Sequence, residues 1–247
     1  MPIPEPVAFT VFGIEVRWYG ILIAAAIVVA TIVVYKRAPL HELPQERVLD
    51  FVLLTVPAGI IGARFYYVVF NWQDYADNPL YALNLRTGGL AIHGGLIFSF
   101  LTVWLLCRYF KYSALNIFDL AAPAIALAQS IGRWGNYFNS EAHGGPTDLP
   151  WAVTVSGQTY HPTFLYESAW CMILFFILIW IDNRRSFNGQ VFLLYGILYS
   201  VERFFVEALR TDSLMIGSLK QAQVLSASVI VVFSIFYVML KRRNKKH

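Results

Sequence analysis

The sequence predicts an all-α integral membrane protein with seven transmembrane helices, its N-terminus outside and its C-terminus cytoplasmic. Three observations predict it. Of 247 residues, 57% are hydrophobic and only 14% are charged, against roughly 25% charged in soluble domains; mean hydropathy is +0.55. The apolar residues gather into runs close to the ~20 residues that a helix needs to cross a bilayer. Basic residues concentrate in alternate loops. The length suits one polytopic domain, 1–247, with no room for a second. Net charge is +4, and its basic clusters sit at helix ends where lipid head groups lie, so membrane lipid rather than nucleic acid is the expected partner.

Taken in order, the N-terminal Met1-Pro2-Ile3-Pro4-Glu5-Pro6 lacks the basic start and short apolar core of a cleavable signal peptide. Pro2 to Val16 predicts a short extended arm at the membrane interface. The first span, 18–35, is flanked by Arg17 and Lys36-Arg37. The second, 51–72, is interrupted only by Arg64. Asn71 to Arg86, with Asp74, Asp77 and Pro79 among aromatics, predicts a short helix at head-group level. The third span, 87–107, has His93 as its one ionisable group before the cytoplasmic end. The fourth, 116–132, is the weakest; it includes Asp119 and gives way to a small outer loop, 133–161. Within that loop, alternation around Ser156-Gly157 predicts a hairpin over Val153 to Tyr160. The fifth span, 163–181, carries Glu167, the sixth, 191–209, carries Glu202, Arg203 and Glu207, and the seventh, 221–240, carries no charge.

Orientation follows from the loops. With the N-terminus outside, the cytoplasmic side holds Lys36, Arg37, Arg47, Arg108, Lys111, Arg184 and Arg185, joined by Lys241, Arg242, Arg243, Lys245 and Lys246 of the tail. The other side holds only Arg17, Arg86, Arg133, Arg210 and Lys220, as the positive-inside rule requires. Cys107 and Cys171 fall inside apolar runs and read as packing residues, too few for a disulfide framework or a zinc site. No metal and no cofactor are expected.

The densest cluster of recognition groups is Ile131-Gly132-Arg133-Trp134-Gly135-Asn136-Tyr137-Phe138-Asn139-Ser140-Glu141-Ala142-His143-Gly144-Gly145-Pro146. Its glycines suit tight turns and close backbone approach. A second cluster lies in the sixth span, where Tyr195, Tyr199, Arg203, Glu207 and Arg210 share one helical stripe. Ionisable residues inside spans are costly and therefore functional candidates, although a buried ion pair that fixes helix packing accounts for the stripe equally well. Arg133 and Arg203, at similar depth, form a fork suited to phosphate oxygens. His93, between Gly88-Gly89 and Gly94-Gly95, is either a proton-transfer group or a packing residue. His161 and Glu167 read as capping and network-closing groups; Arg64 reads the same way, with a third head-group cation as its alternative. Ser140, Glu141 and His143 superficially suggest a hydrolase, but groups so close in sequence seldom reach triad geometry.

These blocks resemble one family, the bacterial prolipoprotein diacylglyceryl transferases. The central match is Gly132-Arg133-Trp134-Gly135-Asn136-Tyr137-Phe138-Asn139-Ser140-Glu141, continuing to Gly144. Arg17-Trp18-Tyr19-Gly20, Gly62-Ala63-Arg64, His93-Gly94-Gly95-Leu96, His161-Pro162 with Leu165-Tyr166-Glu167, and Arg203 to Arg210 with Thr211-Asp212 support it in the family's order. The resemblance implies a seven-span enzyme of the bacterial cytoplasmic membrane with its active site toward the outer leaflet. It implies that the diacylglyceryl group of phosphatidylglycerol moves to the lipobox cysteine of a preprolipoprotein, forming a thioether and releasing glycerol 1-phosphate. By the same resemblance His93, Arg133 and Arg203 are catalytic: His93 as base, Arg133 on the head group, Arg203 on the leaving phosphate. Tyr19, Asn136, Glu141, Gly144, Tyr199 and Glu207 match further functional positions, and Arg64, His161 and Arg210 complete the expected substrate-binding set. A monomer is expected. The competing reading is a transporter or flippase that holds an anionic lipid with the same arginines and breaks no bond.

Overall fold

The computed structural model describes residues 1, 4–85, 88–211 and 213–244; expectations resting on Pro2, Arg86, Thr87, Asp212, Lys245 and Lys246 lie outside the described residues. The chain forms two compact units, one of Met1–Val34 with Phe118–His247 and one of Tyr35–Ile117.

The expected extended arm is a hairpin, β1 (Val7–Val11) against β2 (Ile14–Arg17). Phe12 and Gly13, at φ 49° and 79°, make its two-residue turn, the geometry that matches strand twist. The Trp18 amide donates to the Pro6 carbonyl (3.0 Å) where α1 (Trp18–Arg37) begins.

In the unit Tyr35–Ile117, α2 (Gln45–Phe70) starts before the expected residue 51. Pro44 fits the position just outside a first turn, and Gln45-Glu46-Arg47 form a polar one. α3 (Ile92–Phe110) starts at Ile92, not 87, because Gly88 and Gly89 adopt φ +78° and +73° and leave helical backbone. Where α2 meets α3, a Cβ on Gly94 would strike the Gly62 carbonyl, and one on Gly62 the Phe98 ring; small residues are what allow membrane helices this approach. The head-group segment is two separate 3-10 turns, Trp72–Asp74 and Pro79–Leu83, rather than one short helix.

The largest correction concerns α4 (Ala114–Phe138). It runs past Arg133, so the outer loop does not begin at 133, and Arg133, Gly135 and Asn136 are helical. Gly135 serves packing instead of a turn: a Cβ there would lie 2.5 Å from Tyr19 Cδ2 of α1. The chain leaves the helix through Ser140 and Ala142, both at positive φ. The predicted hairpin follows as β3 (Val153–Val155) and β4 (Gln158–Tyr160).

Then come α5 (Thr163–Asp182), α6 (Gln190–Leu209), a small hairpin β5 (Met215–Ile216) with β6 (Leu219–Lys220), and α7 (Gln221–Asn244). Ala122 and Ala126 of α4, Leu174 and Leu178 of α5 and Val191 of α6 form a common buried core. Ser130 and Ser168 each donate to the other's carbonyl at 2.8 Å, tying α4 to α5. The buried Asp119 carboxylate accepts the Gly189 and Phe192 amides at 2.6 and 2.8 Å, capping α6 from a neighbouring helix. At the other end Lys220 Nζ donates to the Glu207, Ala208 and Arg210 carbonyls, a cation where the helix dipole favours one. Among the described residues, six helices are long and apolar enough to cross a membrane: α1 to α5 and α7. α6 has 20 residues but carries Glu202, Arg203 and Glu207.

Candidate active site

α4, α5 and α6 each project charge into one buried chain of contacts. Glu167 on α5 is fully buried. Its Oε1 accepts Arg203 Nη1 of α6 at 2.5 Å, and its Oε2 pairs with Arg133 Nη1 of α4 at 3.1 Å. Arg203 Nη2 continues to Glu207 Oε2 at 2.7 Å, one turn along α6. Arg133 Nη2 donates to the Tyr199 hydroxyl at 3.0 Å. Tyr195 stacks on Tyr199 with centroids 5.9 Å apart and donates to Gln129 Oε1 at 2.9 Å. Tyr195, Tyr199, Arg203 and Glu207 of the predicted stripe lie on α6, whereas Arg210 falls just past its end in extended backbone; Glu167 ties Arg203 to the predicted arginine on α4.

Glu167 holds both guanidinium groups by a single carboxylate. Each has five N–H donors, so these contacts fix the heads while leaving donors for an anionic ligand. The arginine side chains are 21% and 20% exposed beside a carboxylate at 0%. Two cations fixed in advance, partly open and partly enclosed, suit an anionic ligand whose charge grows during reaction. Sequence reading gave Glu167 a closing role; its place between the arginines is new. The available signal was an ionisable residue one turn inside an otherwise apolar span. Glu202, beside Arg203, has both carboxylate oxygens buried without a hydrogen-bond partner among the described residues.

The remaining expected residues of this unit cluster at the ends of the same helices. Asn136 and Asn139 both donate to Glu141 Oε1, at 3.0 and 3.3 Å, folding the turn after α4. Gly144 is buried; its amide donates to the His161 carbonyl at 2.8 Å, and a Cβ would lie 2.8 Å from His161 Cβ and 3.0 Å from the Leu209 carbonyl. Thr163 donates to the Ala142 carbonyl. His161 Nδ1 is 3.3 Å from the Tyr166 hydroxyl. Arg210 pairs with Gly144 in an isolated β-bridge at the end of α6. Tyr19 packs on Gly135, two residues from Arg133. The hydrolase-like trio is not assembled: Glu141 serves the asparagines, and His143 Nδ1 turns to the Gly144 carbonyl (3.3 Å).

His93 and Arg64 belong to the other unit. His93 opens α3, is exposed, and lies 6.1 Å from the Tyr66 ring. Buried Arg64 uses all five N–H donors on backbone carbonyls: Nε to Ala82, Nη1 to Gly88 and Gly89, Nη2 to Tyr81 and Asn84, at 2.6–3.2 Å. Its guanidinium also lies 5.2 Å from the Tyr75 ring centroid.

The family model for prolipoprotein diacylglyceryl transferase matches residues 6–239. Among similar proteins, the phosphatidylglycerol–prolipoprotein diacylglyceryl transferase of Clostridium novyi (strain NT) is 46% identical, with 98% of each chain covered. The proteins of the same name from Clostridioides difficile (strain 630) and Finegoldia magna are 45% and 44% identical, over 98% and 97% of each chain.

Proposed function

Because the chain belongs to the prolipoprotein diacylglyceryl transferase family, we propose that it uses the Arg133–Glu167–Arg203 clamp to move the diacylglyceryl group of phosphatidylglycerol onto a prolipoprotein cysteine. The observation that carries this reading is one buried carboxylate gripping two arginines from different helices.

Arg133 binds the phosphate of the lipid head group, steadied by Glu167 and Tyr199. The cysteine attacks as thiolate, the reactive form of a group whose free pKa is about 8.5. Its sulfur forms the new bond to the glyceryl carbon as that carbon's bond to the phosphate oxygen breaks. The electron pair leaves on glycerol 1-phosphate, where Arg203, held by Glu167 and Glu207, meets the added charge. His93 is the candidate base for the thiol proton on the family resemblance alone. Asn136, Glu141, Gly144, His161 and Arg210 shape the substrate-facing ends of α4, α5 and α6, and Tyr19 supports α4 through Gly135. Arg64, with its five N–H donors on the carbonyls of Tyr81, Ala82, Asn84, Gly88 and Gly89, acts by tying those residues together.

The proposal includes seven crossings, with α6 as the seventh. Of its charges, Arg203 is partnered by Glu167 of α5 and Glu207 by Arg203, which lowers the cost of carrying them through lipid. Basic residues at the Lys36, Arg108, Arg184 and Lys241 ends support an outer N-terminus, a cytoplasmic C-terminus and a site toward the outer leaflet of the bacterial cell membrane. Purified protein reconstituted with phosphatidylglycerol and a lipobox peptide tests the activity by mass. The expected result is a diacylglyceryl adduct on cysteine, lost in Arg133→Ala and Arg203→Ala. Normal turnover in both variants defeats the assignment.

A further inference from the structure

The segment between α4 and α5 and the residues that end α6 build a small β-layer. Leu209 and Arg210 border Gly144-Gly145, where the Gly145 amide donates to the Leu209 carbonyl at 2.9 Å. Residues 144–147 in turn border β4: His161 N–H donates to the Gly145 carbonyl and Thr147 N–H to the Thr159 carbonyl, both at 3.0 Å. β4 pairs with β3 in register Val153↔Tyr160, Thr154↔Thr159, Val155↔Gln158. The layer therefore runs from Leu209-Arg210 at one edge, through residues 144–147 and β4, to β3 at the other.

The outer edge of β3 carries the Ala152 carbonyl and the Thr154 amide, and one residue sits on it. Met1 nitrogen donates to the Ala152 carbonyl at 2.5 Å, and Thr154 N–H donates to the Met1 carbonyl at 2.9 Å. Those two bonds, flanking Val153, are the rung by which a parallel strand joins an edge. Ala152 and Val153 are buried, and the outward backbone groups on either side of Val153 are the ones that Met1 takes. Trp151, just before it, is half exposed and donates to the Tyr166 hydroxyl at 3.1 Å on α5, one residue before Glu167.

We infer that this edge of β3, Ala152 to Thr154, docks the extended polypeptide substrate by strand addition, with Met1 marking the position that an incoming strand takes. The inference rests on the transferase reading, which requires an unfolded segment carrying a cysteine. Strand addition supplies main-chain hydrogen bonds indifferent to side chains, which fits an enzyme that must accept many different sequences around one cysteine. The layer is welded to the helices that carry Arg133, Glu167 and Arg203 through Gly144, His161 and Thr163, so a docked strand is referenced to the clamp.

Two substitutions at Thr154 separate backbone from side chain. Thr154→Pro deletes the outward N–H and leaves the β3–β4 ladder, because proline is accepted where an edge strand's N–H faces away. It should raise KM for a preprolipoprotein-derived peptide by about tenfold, the size of one lost hydrogen bond with its clash, with kcat and the KM for phosphatidylglycerol unchanged. Thr154→Val, which keeps the N–H, should leave all three unchanged. On the wild-type protein, peptides N-methylated at one backbone position at a time should lose binding, read by fluorescence anisotropy, at one position while its two neighbours stay normal. Equal loss at every position, or no loss at any, overturns strand docking whether or not Thr154→Pro folds. An adduct with that flat profile sinks the edge and keeps the transferase. No adduct, but one sensitive position between two insensitive ones, keeps the edge and sinks the transferase.

Discussion

At the scale of single residues, Glu167 is the pivot of the site. One carboxylate sets the direction of two guanidinium groups, so its charge matters more than its volume. Glu167→Gln keeps the shape and removes the charge; it should lower the rate of adduct formation by about 100-fold, in the range for losing one pre-set electrostatic contact, with the protein still folded. A rate within twofold of wild type would show that the arginines orient themselves. Gly144 is fixed by contact rather than by φ. Gly144→Ala must push apart His161 and the Leu209 carbonyl, and should destabilise by about 1–3 kcal/mol, read as a lower melting temperature in detergent. Glu202 should behave oppositely: a buried carboxylate without a donor is costly, so Glu202→Gln should raise the melting temperature, and a fall would mean that its charge is used. Tyr195, Tyr199 and Arg203 were legible in the sequence because spacing on a helix puts them on one stripe, and Arg133 because it follows an uncharged run. Glu167 as their common partner was not, since pairing across helices has no period within a single segment.

At the scale of elements, apolar run length located all seven long helices, with several ends misplaced by five or six residues. The end of α4 is the informative one. Gly132 and Gly135 looked like the start of a loop, yet α4 continues to Phe138 because Gly135 is needed for contact with Tyr19. A glycine signals close approach or a turn, and only the neighbour decides which. The N-terminal hairpin was obscured by the prolines before it, and the β5–β6 hairpin by its short strands of two residues each. α6 depends on charges from outside itself at both ends. Asp119→Ala would leave the Gly189 and Phe192 amides without their carboxylate and should cost about 1–3 kcal/mol. Because α6 carries Tyr199 and Arg203, activity should fall along with the melting temperature. Full activity in Asp119→Ala would mean that the α5 and α7 contacts alone set the helix.

At the scale of the molecule, composition alone identifies a membrane protein, and six helices meet the length and hydropathy that crossing requires. The charged α6 fails that criterion for the reason that makes it interesting: its Arg203 is partnered by Glu167 of α5, and its Glu207 by Arg203, instead of being absent. Hydropathy cannot see a partner on another helix. The proposed orientation predicts that a reporter fused to the C-terminus is active only if it functions in the cytoplasm; activity of an export-dependent reporter there would reverse the topology. The reaction itself is read most directly by mass. Purified wild-type protein, phosphatidylglycerol and a lipobox peptide should yield a diacylglyceryl-cysteine adduct with glycerol phosphate released, and Arg203→Ala should yield neither while remaining folded. Lipid passing between leaflets with no adduct formed would contradict the transferase and leave the arginines holding a passenger.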